Sequence, residues 1–479
     1  MISPRAVLAR FLGRPAETPA AAKAAPPSVR AFEGAAGGRR WAGFGETPSA
    51  VSAMHAGRAT LVRRSRSLFL NNPLARSAGD GWVCSLVGTG IKMQSSHPID
   101  AVREGLGLAA EAWTDEADAD GRSDFYGLQA LIALQLVRDG EAFVVIEVDE
   151  AGRLKLRVLD ADMVPADLTI DLGGGRFVLQ GVEVDAAGKV AAYHMRKDSP
   201  GLPFVSQYGT VRVPAERVCH VFRRDTAGQL RGVPWCAPVM LRFADYDAAV
   251  DAQLVRQKVA ALVAGFVTSP EGTGDPMSAG GSTSGGVVDV SLEPGEMKIL
   301  LPGQDVRFSE PAKIGAEAID FLTLTRREIA AGFGLPAHML DGNLSETSYS
   351  SIRAGLVEFR RRVEALQHHV VSFQLLRPVW RKWVTLEVLS GRIGAPDFAR
   401  DPAPYLAASF VPPRIDWVDP LKDVEAEISA IAAGLSSRRQ AVAARGMDVE
   451  ALDREIAADR AREERLGLDF GNDKEAPTL

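Results

Sequence analysis

"RGVPWCAPVMLRFADYDAAVDAQLVRQKVAALVAGF", residues 231–266, joins a Gly-Val-Pro-Trp turn to a stretch with helical periodicity. Pro238 suits the first turn of a helix, and no glycine or proline interrupts the stretch again until Gly265. Phe243, Tyr246, Val250 and Leu254 share one face, while Asp245, Asp251, Arg256 and Lys258 fall largely outside it. The reading is a long helix with one narrow apolar stripe. Its surroundings decide what it is for.

Upstream the period changes from helical to alternating. "FYGLQALIALQLVRDGEAFVVIEVDEAGRLKLRVLDADMV" (125–164) predicts a helix ended by Asp139-Gly140, then two strands joined by a turn at 149–152. "RFVLQGVEVDAAGKVAAYHM" (176–195) repeats the hairpin pattern, with its turn around 186–188. "VRVPAERVCHVFR" (211–223) adds one short strand. Before them, "LVRRSRSLFLNNPLARSAGDGWVCSLVGTGIKMQ" (61–94) predicts an arginine-rich helix stopped near Asn71-Asn72-Pro73, then a strand with a turn at Gly88 and Gly90. Residues 60–235 therefore read as an α+β domain built on antiparallel hairpins.

Downstream, residues 269–286 are a Gly/Ser-rich, linker-like loop, and 287–308 read as strand and turn. A second helix over about 315–333 carries Ile319, Leu322, Ile329 and Phe333, and Gly334 and Pro336 stop it. Then comes "HMLDGNLSETSYSSIRAG" (338–355), polar and rich in serine. A third helix from about Ser348 to at least Leu376 carries Ile352, Leu356, Phe359, Val363, Leu366, Val370 and Phe373 at heptad spacing. Residues 377–420 are rich in tryptophan and proline, and 421–470 read as short helices split near Gly434 and Gly446.

The bulk numbers bound the class. A chain of 479 residues is long enough for about three domains, and 46% hydrophobic content is globular. No run of about 18 apolar residues is present, so no membrane partner is expected. Net charge is −6 and uneven: +8 over residues 1–70, −4 over 421–479 and −10 between them. A chain that grips nucleic acid carries a basic domain, and this body is acidic. Residues 1–50, rich in Ala, Pro and Gly, cannot bury enough apolar surface to order themselves and read as a flexible tail. Cys84, Cys219 and Cys236 lack metal spacing and stand beside apolar neighbours, which predicts buried thiols in a reducing compartment.

Signatures of chemistry are missing. There is no G-x-x-x-x-G-K-[ST] phosphate loop and no H-E-x-x-H, and the adjacent His368 and His369 fall on different faces of a helix. A serine hydrolase using the 338–351 loop, with His338 and Ser345 or Ser350 as a dyad, would want a G-x-S-x-G elbow, and none precedes a helix. Thr347, Ser348 and Ser350 serve more simply as caps of the third helix. No catalytic residue, metal ligand or cofactor is assigned.

The order of parts raises a family. "RSRSLFLNNPLA", "GWVCSLVGTGIKMQ", "GLQALIALQLVRDGEAFV", "GVEVDAAGKVAAYHM", "RVPAERVCHVFRRDTAGQLRGVPWCAPVM" and "WVDPLKDVEAEISAIAAGLSS" together resemble lambda-type portal proteins of tailed bacteriophages. The resemblance spans about residues 58–450. It implies a portal fold with an α/β wing, long stem helices, a small β-containing clip and a helical C-terminal crown. Laid on this chain, that gives a disordered tail 1–57, a first wing part 58–235, stem helices 236–266 and 315–333, and a clip 267–314 between them. A tunnel loop 334–349 follows, then a channel-backing helix and returning wing 350–420, a crown 421–470 and a flexible end 471–479.

The same resemblance implies a homo-oligomeric ring of twelve at one capsid vertex, assembled in the bacterial host cytoplasm and carried in the virion. Double-stranded DNA would pass through it without sequence specificity, driven by a terminase motor. Major capsid, scaffold and head-completion or tail connector proteins would be its other partners. A prophage or gene-transfer particle fits equally. Asn343, Ser345, Glu346, Thr347 and Ser348 then occupy the tunnel loop, where short polar side chains touch phosphates without reading bases. Arg353, Arg360, Arg361, Arg256 and Lys258 are expected as channel or intersubunit charges.

Overall fold

The computed structural model describes residues 49–198, 209–261, 315–345, 348–413, 420–447 and 449–468, with short strands at 265–268, 283–284, 287–288 and 305–308. Two helices lead, α1 (Ala50–Asn71) and α2 (Pro73–Leu86). Asn72-Pro73 separates them: the Asn72 side chain accepts the Ala75 N–H at 2.9 Å, and Pro73 sits in a first turn that needs no N–H. α1 starts inside the stretch 1–57 assigned above to a disordered tail. Residues 50–57 are its first turns, and they lead directly into the buried Arg58 and Val62. Residues 1–48 and the end segment 471–479 lie outside the described residues.

β1 (Lys92–Ser95), α3 (Asp100–Thr114) and α4 (Phe125–Arg138) come next. The strands β2 (Glu141–Val148) and β3 (Leu154–Leu159) follow, then β4 (Ile170–Gly173), β5 (Arg176–Leu179), β6 (Val182–Val184), β7 (Val190–Arg196), β8 (Thr210–Pro214) and β9 (Val218–Phe222). They form two sheets, a three-stranded one in the order β3-β2-β9 and a five-stranded antiparallel meander β4 to β8. The stretch 211–223 is thus not one strand but two in different sheets. Pro214 closes β8, a 3-10 turn at Ala215–Arg217 redirects the chain, and β9 pairs with β2. β2 is central and covered on both faces. Ala142, Val144 and Ile146 enter the main core, while Phe143 and Val145 enter a second one with Val164, Tyr193 and Met195.

α5 (Met240–Ala261) does not run on to residue 266 as its sequence suggests. Gly265–Thr268 is a strand, β10; β11 (Thr283–Ser284) and β12 (Val287–Val288) pair with each other, and β13 (Asp305–Phe308) pairs with β10. The α5 stripe is buried only at its start: Phe243 is inaccessible, whereas Leu254 is 52% exposed. α6 (Ala316–Phe333), α7 (Ala337–Asp341) and α8 (Tyr349–Leu366) follow, and a π-helical segment (Gln367–Leu376) joins α8 to α9 (Arg377–Leu389) without a break. The heptad reading holds at Phe359, Val363 and Val370 and fails at Phe373, which is 59% exposed while Val371, Leu375 and Leu376 are buried. An i→i+5 segment winds more residues into each turn, so the buried face moves off the heptad. α9 places Trp380 and Trp383 in the main core beside Trp113. α10 (Ala403–Leu406) and β14 (Ala408–Val411) return the chain to β1 as an antiparallel pair. α11 (Pro420–Ala432), α12 (Arg438–Ala444) and α13 (Val449–Leu466) break at Gly434 and Gly446, both left-handed.

The Arg231–Trp235 run acts at the centre of this arrangement. Arg231 donates to Glu141 from Nε at 2.9 Å and from Nη2 at 2.6 Å, and both side chains are fully buried. The Gly232 N–H reaches the second Glu141 oxygen at 2.7 Å, His220 Nε2 reaches it at 3.1 Å, and Arg58 completes the shell. Burial alone would raise the Glu141 carboxyl, but Arg231 and Arg58 outweigh it and hold it well below the usual range. Burial also draws His220 down and brings Arg58 to about 10. Two backbones cross here. A Cβ on Gly232 would stand 2.0 Å from the Gly140 carbonyl oxygen, and one on Gly140 would stand 2.2 Å from the Val233 carbonyl carbon. Trp235 then packs edge-on against Trp82, centroids 4.8 Å apart, at the start of the path into α5. Cys219 and Cys236 are buried, but Cys84 is exposed, contrary to the expectation for all three thiols. Its place on the outer side of α2, which buries Ala75, Ala78, Trp82 and Leu86, accounts for that.

Candidate functional site

The polar stretch between α6 and α8 is built in three short pieces. α6 stops because Gly334 takes φ 83°, and its carbonyl accepts from Arg362 Nη1 on α8 at 2.9 Å. Pro336 opens α7, whose Leu340 is buried while Met339 lies over α2, its carbonyl accepting from Ser77 at 3.4 Å. The tunnel-loop range 334–349 is therefore not loop throughout, since Leu335 and Leu340 are core. The exposed part begins at Gly342, left-handed at φ 70°. Asp341 Oδ1 accepts the Asn343 N–H at 3.0 Å, and Asn343 Oδ1 accepts the Ser345 N–H at 3.0 Å and hydroxyl at 2.6 Å. These are consecutive Asx turns. Ser348 closes the stretch as the N-cap of α8, in a capping box with Ser351.

Of the five residues expected to face the channel, Asn343, Ser345 and Ser348 are exposed, and Glu346 and Thr347 lie outside the described residues. Beneath the loop is a cavity of about 170 Å³ bordered by α6, α7 and α8, with Arg326, His338, Asp341, Asn343 and Ser351 among its walls. Among the described residues, the serine hydrogen bonds run to Asn343 and between Ser348 and Ser351, and none of them runs to His338. The serines shape turns and a helix cap.

The expected charges separate into two groups. Arg353 pairs with Asp423 of α11 at 3.4 Å, Arg360 is half-buried, and Arg361 is exposed on α8. Arg256 and Lys258 sit far from them. Val239, just before α5, lies against Gly332 of α6, and Arg242 of α5 approaches Glu328 at 3.6 Å; as one chain advances the other recedes, so the two helices run antiparallel. Arg256 then lies about 20 Å further from the loop, at 1.5 Å per residue. One feature was missed from sequence: Arg326 meets Asp341 Oδ2 at 2.8 Å. Nothing in a helical Arg-Arg pair marks which of the two turns inward. Among the described residues, no three His, Cys, Asp or Glu side chains gather to hold a metal, and no helix is long and apolar enough to cross a membrane.

Comparison with known proteins gives a consistent result. A family profile described as phage portal protein, lambda family, matches residues 37–367. The chain is 26% identical to a probable portal protein of Halomonas phage phiHAP-1, over 97% of this chain and 93% of that one. It is 24% identical to portal protein B of Escherichia phage lambda, over 68% of this chain and 66% of the other. Among solved structures, a chain from the neck of a native gene-transfer-agent particle aligns with 16% identity and a TM-score of 0.44, covering 80% of this chain and 95% of that one.

Proposed function

The chain belongs to the lambda family of phage portal proteins, and from that premise we propose that residues 343–348 line the channel through which double-stranded DNA is packaged and later ejected. One observation carries the reading: a serine-rich turn is held at both ends, by Asp341 on α7 and by the Ser348 cap of α8, although its described residues are all exposed. A channel for a polyanion works best without a grip, because each neutralised phosphate adds salt-sensitive affinity that would slow sliding. Short hydroxyl and amide side chains meet phosphates in passing, and Glu346 keeps them from sticking. A family of structural connectors needs no nucleophile here.

The ring is a homo-oligomer of twelve, placed in the virion at the capsid vertex and assembled in the host cytoplasm. A terminase motor docks on one side, and head-completion or tail proteins dock on the other, with shell and scaffold proteins around it. Exposed apolar residues support a neighbour along the α5–α6 pair: Leu241, Phe321 and Leu324 are each more than half exposed. Arg353, Arg360 and Arg361 serve as channel or intersubunit charges, with Arg256 and Lys258 at the other end of the helix pair. Deleting Asn343–Thr347 tests the loop, because it leaves the Ser348 cap and the α7 anchor in place. Rings should still form, and retention of full-length DNA in filled heads should drop. Normal packaging and retention by that deletion would contradict the channel role.

A further inference from the structure

Resting on the reading of residues 343–348 as the DNA-facing loop, we propose that Asp341 is a positioning residue that ties this loop to the stem helix α6 through Arg326. The carboxylate divides its two oxygens between the two structures it joins. Oδ2 takes Arg326 Nη1 at 2.8 Å, and Oδ1 accepts the loop's Asn343 N–H at 3.0 Å. Arg326 is held in turn, with Nη2 donating to Thr323 Oγ1 at 3.1 Å on its own helix. Past Asn343 the link continues to Ser345, so a displacement of Arg326 reaches the exposed tip through three polar contacts. α7 itself is seated in the core through Leu340, but the exposed stretch from Gly342 to Ser345 borders the 170 Å³ cavity at Asn343, so polar contacts rather than apolar packing hold it. The ion pair is half-sheltered, with side-chain exposures of 23% and 14%, so it is screened less than a surface pair. Beside the backbone through α7 and the Ser348 cap of α8, this carboxylate is a side-chain route by which force on the loop reaches α6.

The chemistry of Asp341 allows the two halves of the role to be separated. Asp341→Asn keeps an acceptor for the Asn343 N–H and loses the ionic link, whereas Asp341→Ala loses both. The test places a nitroxide or a photo-crosslinker on Leu344→Cys, an exposed position beside the turn, in a Cys84→Ser background that removes the exposed native thiol. In assembled rings, the parent should give an immobilised nitroxide spectrum and crosslink to DNA in filled heads. Asp341→Asn should sharpen the spectrum and lower crosslinking, and Asp341→Ala should do both several-fold more strongly, with ring mass unchanged in all three. Arg326→Lys, which keeps the charge, should restore part of what Arg326→Ala loses. Failure of the parent to crosslink overturns the channel reading and, with it, the role of the anchor. Crosslinking in the parent that neither Asp341 variant changes, together with unchanged spectra, overturns the anchor alone.

Discussion

Glu141 receives five donors from four residues, Arg58, Arg231, His220 and the Gly232 amide, at a point where no solvent reaches it. Its removal leaves two arginines facing each other without a counter-charge. Glu141→Ala should cost about 3–5 kcal/mol of unfolding free energy, the range for breaking a buried ion pair on one side; chemical denaturation checks it, and a loss below about 1 kcal/mol would mean the cluster is solvated. The pH dependence has a definite sign. His220 sits below its usual 6.5, so the fold favours the neutral ring; that stability is complete above 6.5 and is lost as pH falls towards the lower folded value. Glu141 is depressed from 4.5, so its contribution persists above 4.5 and fades only at more acid pH. The melting temperature should therefore begin to fall from about pH 6.5 downward, and His220→Gln, which keeps an N–H donor, should flatten the first part of that fall. The run Arg231-Gly232-Val233-Pro234-Trp235 was legible as distinctive, but its reason was not. Gly140 and Glu141 lie about ninety residues upstream, and no local pattern announces that two glycines must cross.

At the scale of elements, local chemistry was readable wherever a cap or a glycine decides a boundary. Asn72-Pro73, Asp139-Gly140, Gly334, Ser348, Gly434 and Gly446 all mark ends in the structure. What escaped depends on partners distant in sequence. Sheet membership divided 211–223 because β9 finds β2, and the π segment moved the buried face of the long helix away from its heptad. The segment is fixed at both ends by side chains. Gln367 donates to the Leu86 carbonyl at 2.8 Å, and Gln374 both accepts from the Phe222 N–H at 2.8 Å and donates to its carbonyl at 3.1 Å. The two windings make opposite predictions at Phe373. Phe373→Ser should change stability by no more than about 0.5 kcal/mol, as at other exposed sites, while Leu375→Ala should cost about 2–5 kcal/mol. Thermal unfolding of both variants decides it. A costly Phe373→Ser with a mild Leu375→Ala would restore the uninterrupted heptad.

For the whole molecule, the body carries its own cores while some of its helices do not. Among the described residues of 420–468, only Ala441 and Val442 are buried. The segment is held to the body by ion pairs such as Arg103–Glu450 and Arg454–Glu104 and leaves Leu421, Ile428 and Leu435 exposed at seven-residue spacing. Together with the exposed apolar residues of α5 and α6, this is a surface that a neighbour completes, and the most economical neighbour is another copy around a closed axis. Isolated charges on one chain cannot say how many copies close the ring, which is why the subunit number was legible only through the family resemblance. The loop shows the same limit: its polarity and caps were readable, whereas its tie to Arg326 needed the fold. Native mass measurement of the 479-residue chain, with electron images of the same sample, reads the assembly itself. A closed ring near twelve times 51.2 kDa with a central opening is expected, and a sample that stays monomeric at micromolar concentration and physiological salt would overturn the ring.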